Sequence, residues 1–386
     1  MRFPARLSRK ANRQIEEIAM PVPHIVHVMP SFSPGGAQAR TVQIMNYLGE
    51  SFCHTVVSLN GDFTAAGAVS GDVDVQYLRC RRGGNPIYMI RQFAQLLRAL
   101  KANLALTYNW GAIDAVVAAR IAGGLPVIHS EDGFGADEAI RQKHRRILFR
   151  TMTLRSAYRV VAPSETLVDI MRRIWRLPGE RIEHIPNGID LSRFAPETRR
   201  PEQEKVILGA VGVLRPEKNH ELLLSACAAA ARRTPIRLVI AGDGPERKAL
   251  EEKAQSLGLA AAVEFLGHCG NPAEIYRRLD LFVLSSKTEQ MPLAVLEAMA
   301  SGLPVVSTDV GDVKKMVSPE NRPFIASGEK DFYEALTSLA ANPALRKNIG
   351  VANRARCIAL YDIRKMLQRY SALYENAIRS SYVAQN

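Results

Sequence analysis

Residues 285–304 read Ser285-Ser-Lys-Thr-Glu289-Gln-Met-Pro292-Leu-Ala-Val-Leu-Glu297-Ala-Met-Ala-Ser-Gly302-Leu-Pro304. The apolar run before them, Leu279–Leu284, predicts a buried parallel strand. A polar loop with Glu289 follows, and Pro292 stands where a first helical residue belongs, since a helix has no use for its N–H there. Leu293, Leu296 and Ala300 give the helix an apolar face, Gly302 ends it, and Leu303–Ser307 opens the next strand. The unit is strand–loop–helix–strand, with the helix start at the strand ends. Free N–H groups and the helix dipole favour an anion at Met291, Pro292 and Leu293. Glu289 precedes the helix, and Glu297 lies on it with its side chain tilted back toward the N-terminus. A ligand with hydroxyls at both ends and phosphate between them suits that layout, and a nucleoside-diphosphate sugar has that shape. Two glutamates eight residues apart are also common, so the rest of the chain must bear on the choice.

Working outward, the same alternation recurs. After the unit come a short strand near Phe324–Ile325 and helices over Phe332–Ala341, Ala344–Leu360 and Ile363–Ile378. Before it, strands are expected at Val206–Leu214, Arg237–Ala241 and Val263–Leu266, with helices over Glu221–Arg232, Glu246–Leu257 and Ala273–Leu279. Pro186-Asn-Gly-Ile-Asp190 and the charged stretch from Pro196 to Pro201 read as an interdomain linker. A first series runs from His24–Met29 through Thr55–Leu59, Val73–Leu78, Leu104–Tyr108, Pro126–His129 and Arg159–Ala162 to Ile182–Ile185, with helices between. Two βαβ series predict two parallel sheets covered on both faces. The expected division is a basic extension over 1–20, a Rossmann-like domain over 21–190 and a second over 200–360.

At 386 residues the chain accommodates two such domains, and 47% hydrophobic content gives each a core. Nowhere are there about 18 uninterrupted apolar residues, so no spanning helix is expected. The basic start lacks the apolar segment of a secretory signal. Five scattered cysteines without C-x-x-C spacing predict reduced, structural thiols and a cytoplasmic protein with no metal site. The net charge is +13, densest from Arg141 to Arg181. That excess suits an anionic lipid or a phosphorylated substrate, or is simply a solvated face. No helix-turn-helix, zinc or aromatic RNA-binding signature accompanies it, so nucleic acid is not an expected partner.

Four further motifs stand at strand ends. Ser31-Phe-Ser-Pro-Gly35-Gly36-Ala37 opens a helix with a glycine pair that lets backbone N–H groups approach a phosphate or sugar, or simply makes a tight turn. It is not G-x-G-x-x-G. Val211-Gly-Val-Leu-Arg215-Pro-Glu-Lys218-Asn219 places two cations where a diphosphate could be held. Ala241-Gly-Asp-Gly244-Pro-Glu246 is a turn with packing or ligand-contact roles. His129-Ser-Glu-Asp-Gly-Phe-Gly135 gathers a histidine, two acids and glycines, either as a site or around a structural histidine.

Together these motifs resemble the family-four glycosyltransferases, retaining enzymes of the GT-B fold, over about His24 to Ile378. The resemblance is carried by Gly35-Gly36, His129, Pro186-Asn187-Gly188, Lys218, Gly242-Asp243-Gly244-Pro245, and Glu289 with Glu297 in an E-x7-E pattern. It implies two Rossmann-like domains facing across a cleft, with the final helix (363–380) crossing back to the first. It also implies that Glu297 binds the nucleotide ribose, Glu289 the donor sugar and Lys218 the diphosphate, while His129 contacts the sugar near the reaction centre. The family often has Arg directly after the glycine of V-G-R-L; here that position is Val213, and Arg215 is the candidate replacement.

The implied function is transfer of a sugar from a nucleotide-diphosphate sugar to a lipid-linked or polysaccharide acceptor in cell-surface glycan synthesis. No cofactor or metal is expected. The donor-binding set is Glu297, Gly35, Gly36, Met291, Pro292, Leu293 and Gly244, and the catalytic set His129, Glu289, Lys218 and Arg215. The rivals are a sugar-nucleotide epimerase of the same fold, a glycoside hydrolase using two carboxylates, and a non-catalytic sugar-nucleotide-binding protein. Arg141, Lys143, Arg145, Arg146, Arg150, Arg155 and Arg159 are expected within one helical stretch of the first domain, with apolar residues interleaved. That pattern suggests reversible docking at the inner face of an anionic membrane.

Overall fold

The computed structural model describes residues 22–80, 83, 85–134, 138, 142–197 and 204–385, without the side chains of 382–385. The expected extension over 1–20, Arg141 and most of the charged linker stretch lie outside those residues. The first domain runs β1 (His24–Met29), α1 (Gly36–Leu48), β2 (Cys53–Ser58), β3 (Val75–Arg79), α2 (Pro86–Ala99), β4 (Leu104–Tyr108), α3 (Asp114–Ile121), β5 (Val127–Ser130), α4 (His144–Leu154), β6 (Arg159–Ala162), α5 (Glu165–Arg173) and β7 (Ile182–His184). Its seven strands are ordered β3-β2-β1-β4-β5-β6-β7. The second runs β8 (Val206–Val211), α6 (His220–Ala231), β9 (Ile236–Ala241), α7 (Arg247–Ser256), β10 (Val263–Gly267), α8 (Pro272–Arg278), β11 (Leu281–Leu284), α9 (Leu293–Ala300), β12 (Val305–Thr308), α10 (Val313–Met316), β13 (Ile325–Ala326), α11 (Glu329–Ala341) and α12 (Pro343–Leu360). Its six strands are ordered β10-β9-β8-β11-β12-β13.

The pairings within both sheets are parallel, as at β1–β4, β4–β5, β8–β11 and β11–β12. Each strand order reverses direction at its first strand, the doubly wound pattern that leaves a crevice at the strand ends. The apolar runs make this legible: β4, β5 and β11 are buried throughout their length. Helix starts are set by local chemistry. The Asn85 side chain accepts from Ile87 N ahead of Pro86, and Asn342 does the same for Leu345 N ahead of Pro343. Pro292 is the residue before α9 rather than its first helical residue, with ψ 124 holding it extended. Gly302, at φ +74, terminates α9 as expected.

The last helix, α13 (Ile363–Gln385), packs on the first domain. Met366, Tyr370, Tyr374 and Ile378 share a core with Ile25, Met29 and Met45. The chain therefore crosses between domains twice, at 185–195 and at 361–363. The crossings touch: Ile189 N donates to Tyr361 O (2.8 Å), and Ile363 N to Ile189 O (3.1 Å). A Cβ on Gly188 would lie 2.6 Å from Ile363 Cα, so only glycine lets the crossings pass this closely.

Candidate active site

A cavity of about 610 Å³ lies between the carboxyl ends of the two sheets. α1 and α9 both direct their N-termini into it, and neither is capped by a side chain. Their first-turn N–H groups are therefore available to an anion. The two termini nearly meet: a Cβ built on Gly36 would be 3.7 Å from Leu293 Cδ1 and from nothing else within 4 Å. The glycine pair thus keeps open the space between the helix ends. Gly35, Gly36, Met291, Pro292 and Leu293 all line the cavity.

The second-domain wall carries the charged groups. Lys218 stands at the end of a short turn, Pro216–Lys218, and its Nζ is 2.5 Å from Glu289 Oε1. Ser286 Oγ donates to the same oxygen (2.8 Å), and Ser285 Oγ to Lys218 O (2.9 Å). The β8 and β11 loops are thereby tied into one unit holding both side chains. Glu297, one turn into α9, accepts from Tyr276 OH (2.7 Å) on α8. Burial raises the Glu297 carboxyl above its ordinary range, opposed by the Tyr276 hydrogen bond and by Arg193. Such a carboxylate gains by accepting from ligand hydroxyls. Among the described residues there is no group of three His, Cys, Asp or Glu spaced to hold a metal ion.

The first-domain wall adds Arg40, which the sequence did not single out, to Asp132 and Asn187, which stand in two of the quoted motifs without an assigned role. Arg40 of α1, almost fully buried, sits 2.6 Å from Asp132 Oδ1 and donates to Asn187 Oδ1 (2.9 Å). All three line the cavity. Asn187 in turn donates to Met291 O (2.9 Å), pinning the linker to the loop before α9. Burial opposes the Arg40 charge, but Asp132 more than restores it, so Arg40 stays protonated.

Three expected site residues are not brought to the cavity wall. Arg215 points to solvent, 59% exposed, with Glu217 Oε1 at 4.0 Å as an ion-pair partner. The Lys218 turn projects into the cavity; Arg215, just before it, does not. His129 lies fully buried inside the sheet, its Nδ1 2.8 Å from Thr107 Oγ1 and its Nε2 3.7 Å from Glu131 Oε2. Gly244 packs on backbone, where a Cβ would be 2.4 Å from Leu214 O. The basic face also needs correction. Arg150 is turned inward, 1% exposed, donating to both carboxylate oxygens of Glu138 (3.3 and 3.0 Å). Trp110, Trp175 and Phe134 surround its guanidinium at 4.9, 5.0 and 5.4 Å. Arg159 belongs to β6, not to a helix.

A second chamber, about 560 Å³, adjoins the first and shares Glu289 and Gln290 with it. Phe134, Ile147, Ile170 and Ile174 give it an apolar wall on the first domain.

The chain matches two family models in succession, Glycosyltransferase Family 4 over residues 34–193 and Glycosyl transferases group 1 over residues 193–356. EpsF of Bacillus subtilis, a protein named as a glycosyltransferase, is 34% identical over 50% of this chain and 53% of its own length. An Escherichia coli enzyme, UDP-Gal:alpha-D-GlcNAc-diphosphoundecaprenol alpha-1,3-galactosyltransferase, is 28% identical over 67% of this chain and 71% of its own. Several of the curated relatives are thus matched over only about half to two thirds of their length. Among solved structures, the sucrose-phosphate synthase of Thermosynechococcus elongatus superposes with a TM-score of 0.77 at 20% identity, covering 93% of this chain and 100% of that one. HepE of Anabaena, solved with UDP, gives 0.77 at 16% identity, covering 92% and 100%.

Proposed function

Because the chain belongs to the family-four glycosyltransferases of the GT-B fold, we propose that it transfers a sugar, with retention at the anomeric carbon, from a nucleoside-diphosphate sugar to a lipid-linked or polysaccharide acceptor in cell-surface glycan synthesis. The observation that carries this reading is the cavity in which two uncapped helix N-termini, the Lys218–Glu289 pair and the half-buried Glu297 face one another. Glu297 would take the ribose hydroxyls, the helix termini and Lys218 the diphosphate, and Glu289 the donor sugar. The acceptor hydroxyl attacks from the face the diphosphate leaves. Negative charge grows on the departing phosphate, where Lys218 and the N–H groups of α9 and α1 stabilise it without requiring a metal. Closing the domains excludes water and limits hydrolysis. The apolar wall of the second chamber suits an acceptor with a lipid or a hydrophobic sugar face.

The reading extends to place. Among the described residues no helix is long and apolar enough to cross a membrane. Leu148 and Met152 are 61% and 70% exposed on α4, with exposed Arg145 and Arg155 beside them. Peripheral docking on the cytoplasmic face of an anionic membrane would bring a lipid-linked acceptor to the cleft. The test is turnover on a panel of UDP-, GDP-, ADP- and dTDP-sugars, with and without a lipid-linked glycan. Acceptor-dependent release of nucleoside diphosphate, with an α-linked product from an α-linked donor, is expected. Conversion of free donor without acceptor would point to an epimerase, and no release on any donor would sink the proposal.

A further inference from the structure

Asp132 carries one carboxylate oxygen that the fold has satisfied and one that it has left bare. Oδ1 is 2.6 Å from Arg40 Nη1, whereas Oδ2 is buried and has no hydrogen-bond partner among the described residues. An ionised carboxylate only accepts hydrogen bonds, and an empty buried acceptor costs the desolvation of that atom. Asp132 lines the main cavity, so the missing partner can come from a bound molecule. The partner must donate, which selects a hydroxyl or N–H and rejects a phosphate oxygen.

The position narrows the choice. Asp132, Gly133 and Phe134 are consecutive; Asp132 lines the main cavity and Phe134 the second chamber. Between them, a Cβ on Gly133 would lie 3.2 Å from Gln290 Cγ, and Gln290 lines both spaces. Asp132 therefore sits on the first-domain side of the junction, opposite the loop that carries Glu289. The group is also held rigidly. Its backbone N donates to Asn109 Oδ1 (2.7 Å), and Asn109 is kept at φ +55, ψ 179, a strained conformation for a residue with a side chain. Arg40 is fixed on its other side by Asn187. Since Arg40 cancels the carboxylate charge, the pair does not repel a nearby diphosphate.

We propose that Asp132 contacts substrate, its bare carboxylate oxygen accepting a hydrogen bond from the attacking hydroxyl of the acceptor. This rests on the transferase reading above. In the step, the acceptor oxygen bonds to the anomeric carbon as that carbon's bond to the diphosphate oxygen breaks, and the hydroxyl proton ends on the departing phosphate. Asp132 aims the hydroxyl and raises its electron density; it does not keep the proton. Glu289, Lys218 and Glu297 on the opposite wall are left to the donor.

The test is Asp132→Asn, which keeps an oxygen for Arg40 but turns the bare acceptor into an N–H donor. Acceptor-dependent transfer, as kcat/KM, should fall by about ten- to a hundredfold, the scale of a hydrogen bond to a charged group. Donor hydrolysis without acceptor should fall much less, so the ratio of transfer to hydrolysis drops. Affinity for UDP or GDP, whichever the wild-type panel selects, should stay within about twofold by calorimetry, showing an intact fold. Asp132→Glu should recover part of the transfer. Unchanged transfer in Asp132→Asn would overturn the proposal, as would an equal fall in transfer and hydrolysis, which would put the hydroxyl on the donor or make the residue structural. Absence of turnover by the wild-type chain would instead overturn the transferase reading before any variant is compared.

Discussion

Truncating Glu297 and Lys218 should produce different failures. Glu297→Ala removes a carboxylate expected on the ribose, yet Tyr276 OH keeps Ala294 O at 3.2 Å, so the variant orphans little. Donor affinity should drop by about 2 kcal/mol, with nucleoside affinity falling in parallel, as calorimetric titration would show. Lys218→Ala should slow transfer by roughly a hundredfold while nucleoside affinity hardly changes, because the lost contact is to phosphate. Arg215→Ala, at a solvent-facing position, should cost less than about tenfold; a loss equal to that of Lys218→Ala would show that Arg215 swings inward with ligand. Glu289, Glu297 and Lys218 were legible in the sequence because each sits in a local strand–turn–helix motif whose geometry the spacing reveals. Arg40, Asp132 and Asn187 were not read together, since only tertiary folding joins residues separated by up to 147 positions. Arg40 did carry a signal: it stands four residues before Ile44 on the buried stripe of α1, where a charge needs a partner.

At the scale of elements, apolar runs placed the strands well because the inner parallel strands, such as β4, β5 and β11, are buried on both faces, and the errors fall at ends and in the four-residue α10. The same runs hide a polar chain across the first sheet: His27 Nδ1 is 3.0 Å from Tyr108 OH, and His27 Nε2 is 3.0 Å from His54 Nδ1. Burial, with help from neighbouring histidines, holds His27 well below its ordinary value and His54 at about 4. Both are neutral in the fold, while the unfolded chain takes up protons below about 6.5. Their contribution is therefore full above about pH 6.5 and is lost as pH falls toward 4, at on the order of 1 kcal/mol per pH unit for each histidine. Denaturant melts across that range should show the slope, and His54→Gln should flatten it. The helix α4 makes a surface prediction. With Arg150 turned inward, the outward face is Arg145, Leu148, Met152 and Arg155, beside exposed Arg172, Arg173 and Ile174 at the end of α5. Each basic residue near an anionic surface contributes about 1 kcal/mol. Co-sedimentation should require anionic vesicles, weaken with salt and be lost in Leu148→Glu/Met152→Glu; equal binding to neutral vesicles would leave a merely solvated face.

For the whole molecule the question is what holds the two domains at this separation. Sequence patterning foretold two domains and the family resemblance implied the returning helix, but neither gave the contact that latches them. Asp312, next to α10 in the second domain, caps a helix of the first: its oxygens accept from Glu165 N (2.6 Å), Thr166 N (3.1 Å) and Thr166 Oγ1 (2.7 Å) at the start of α5. Lys315 bridges to Glu165 (2.9 Å), and Ser164 Oγ donates to Gln290 Oε1 (3.2 Å). The cap is mechanically joined to the site, because Asp312 N donates to Gln290 O (2.8 Å), beside Glu289. Any opening of the cleft to admit a donor would break these bonds, and closing would remake them beside the Glu289 loop. A capping carboxylate is worth about 1 kcal/mol, and its loss should be felt by the closed state more than by either domain alone, since Ser164 still caps α5 through Leu167 N. Asp312→Ala should therefore leave the melting of each domain nearly intact, enlarge the radius of gyration in solution scattering, and lower transfer severalfold with a rising share of donor hydrolysis. Asp312→Asn, which keeps an oxygen for α5, should fall between. If scattering and the hydrolysis share both stay at wild-type values in Asp312→Ala, closure is set elsewhere, with the paired crossings at Ile189 and Tyr361–Ile363 as the remaining constraint.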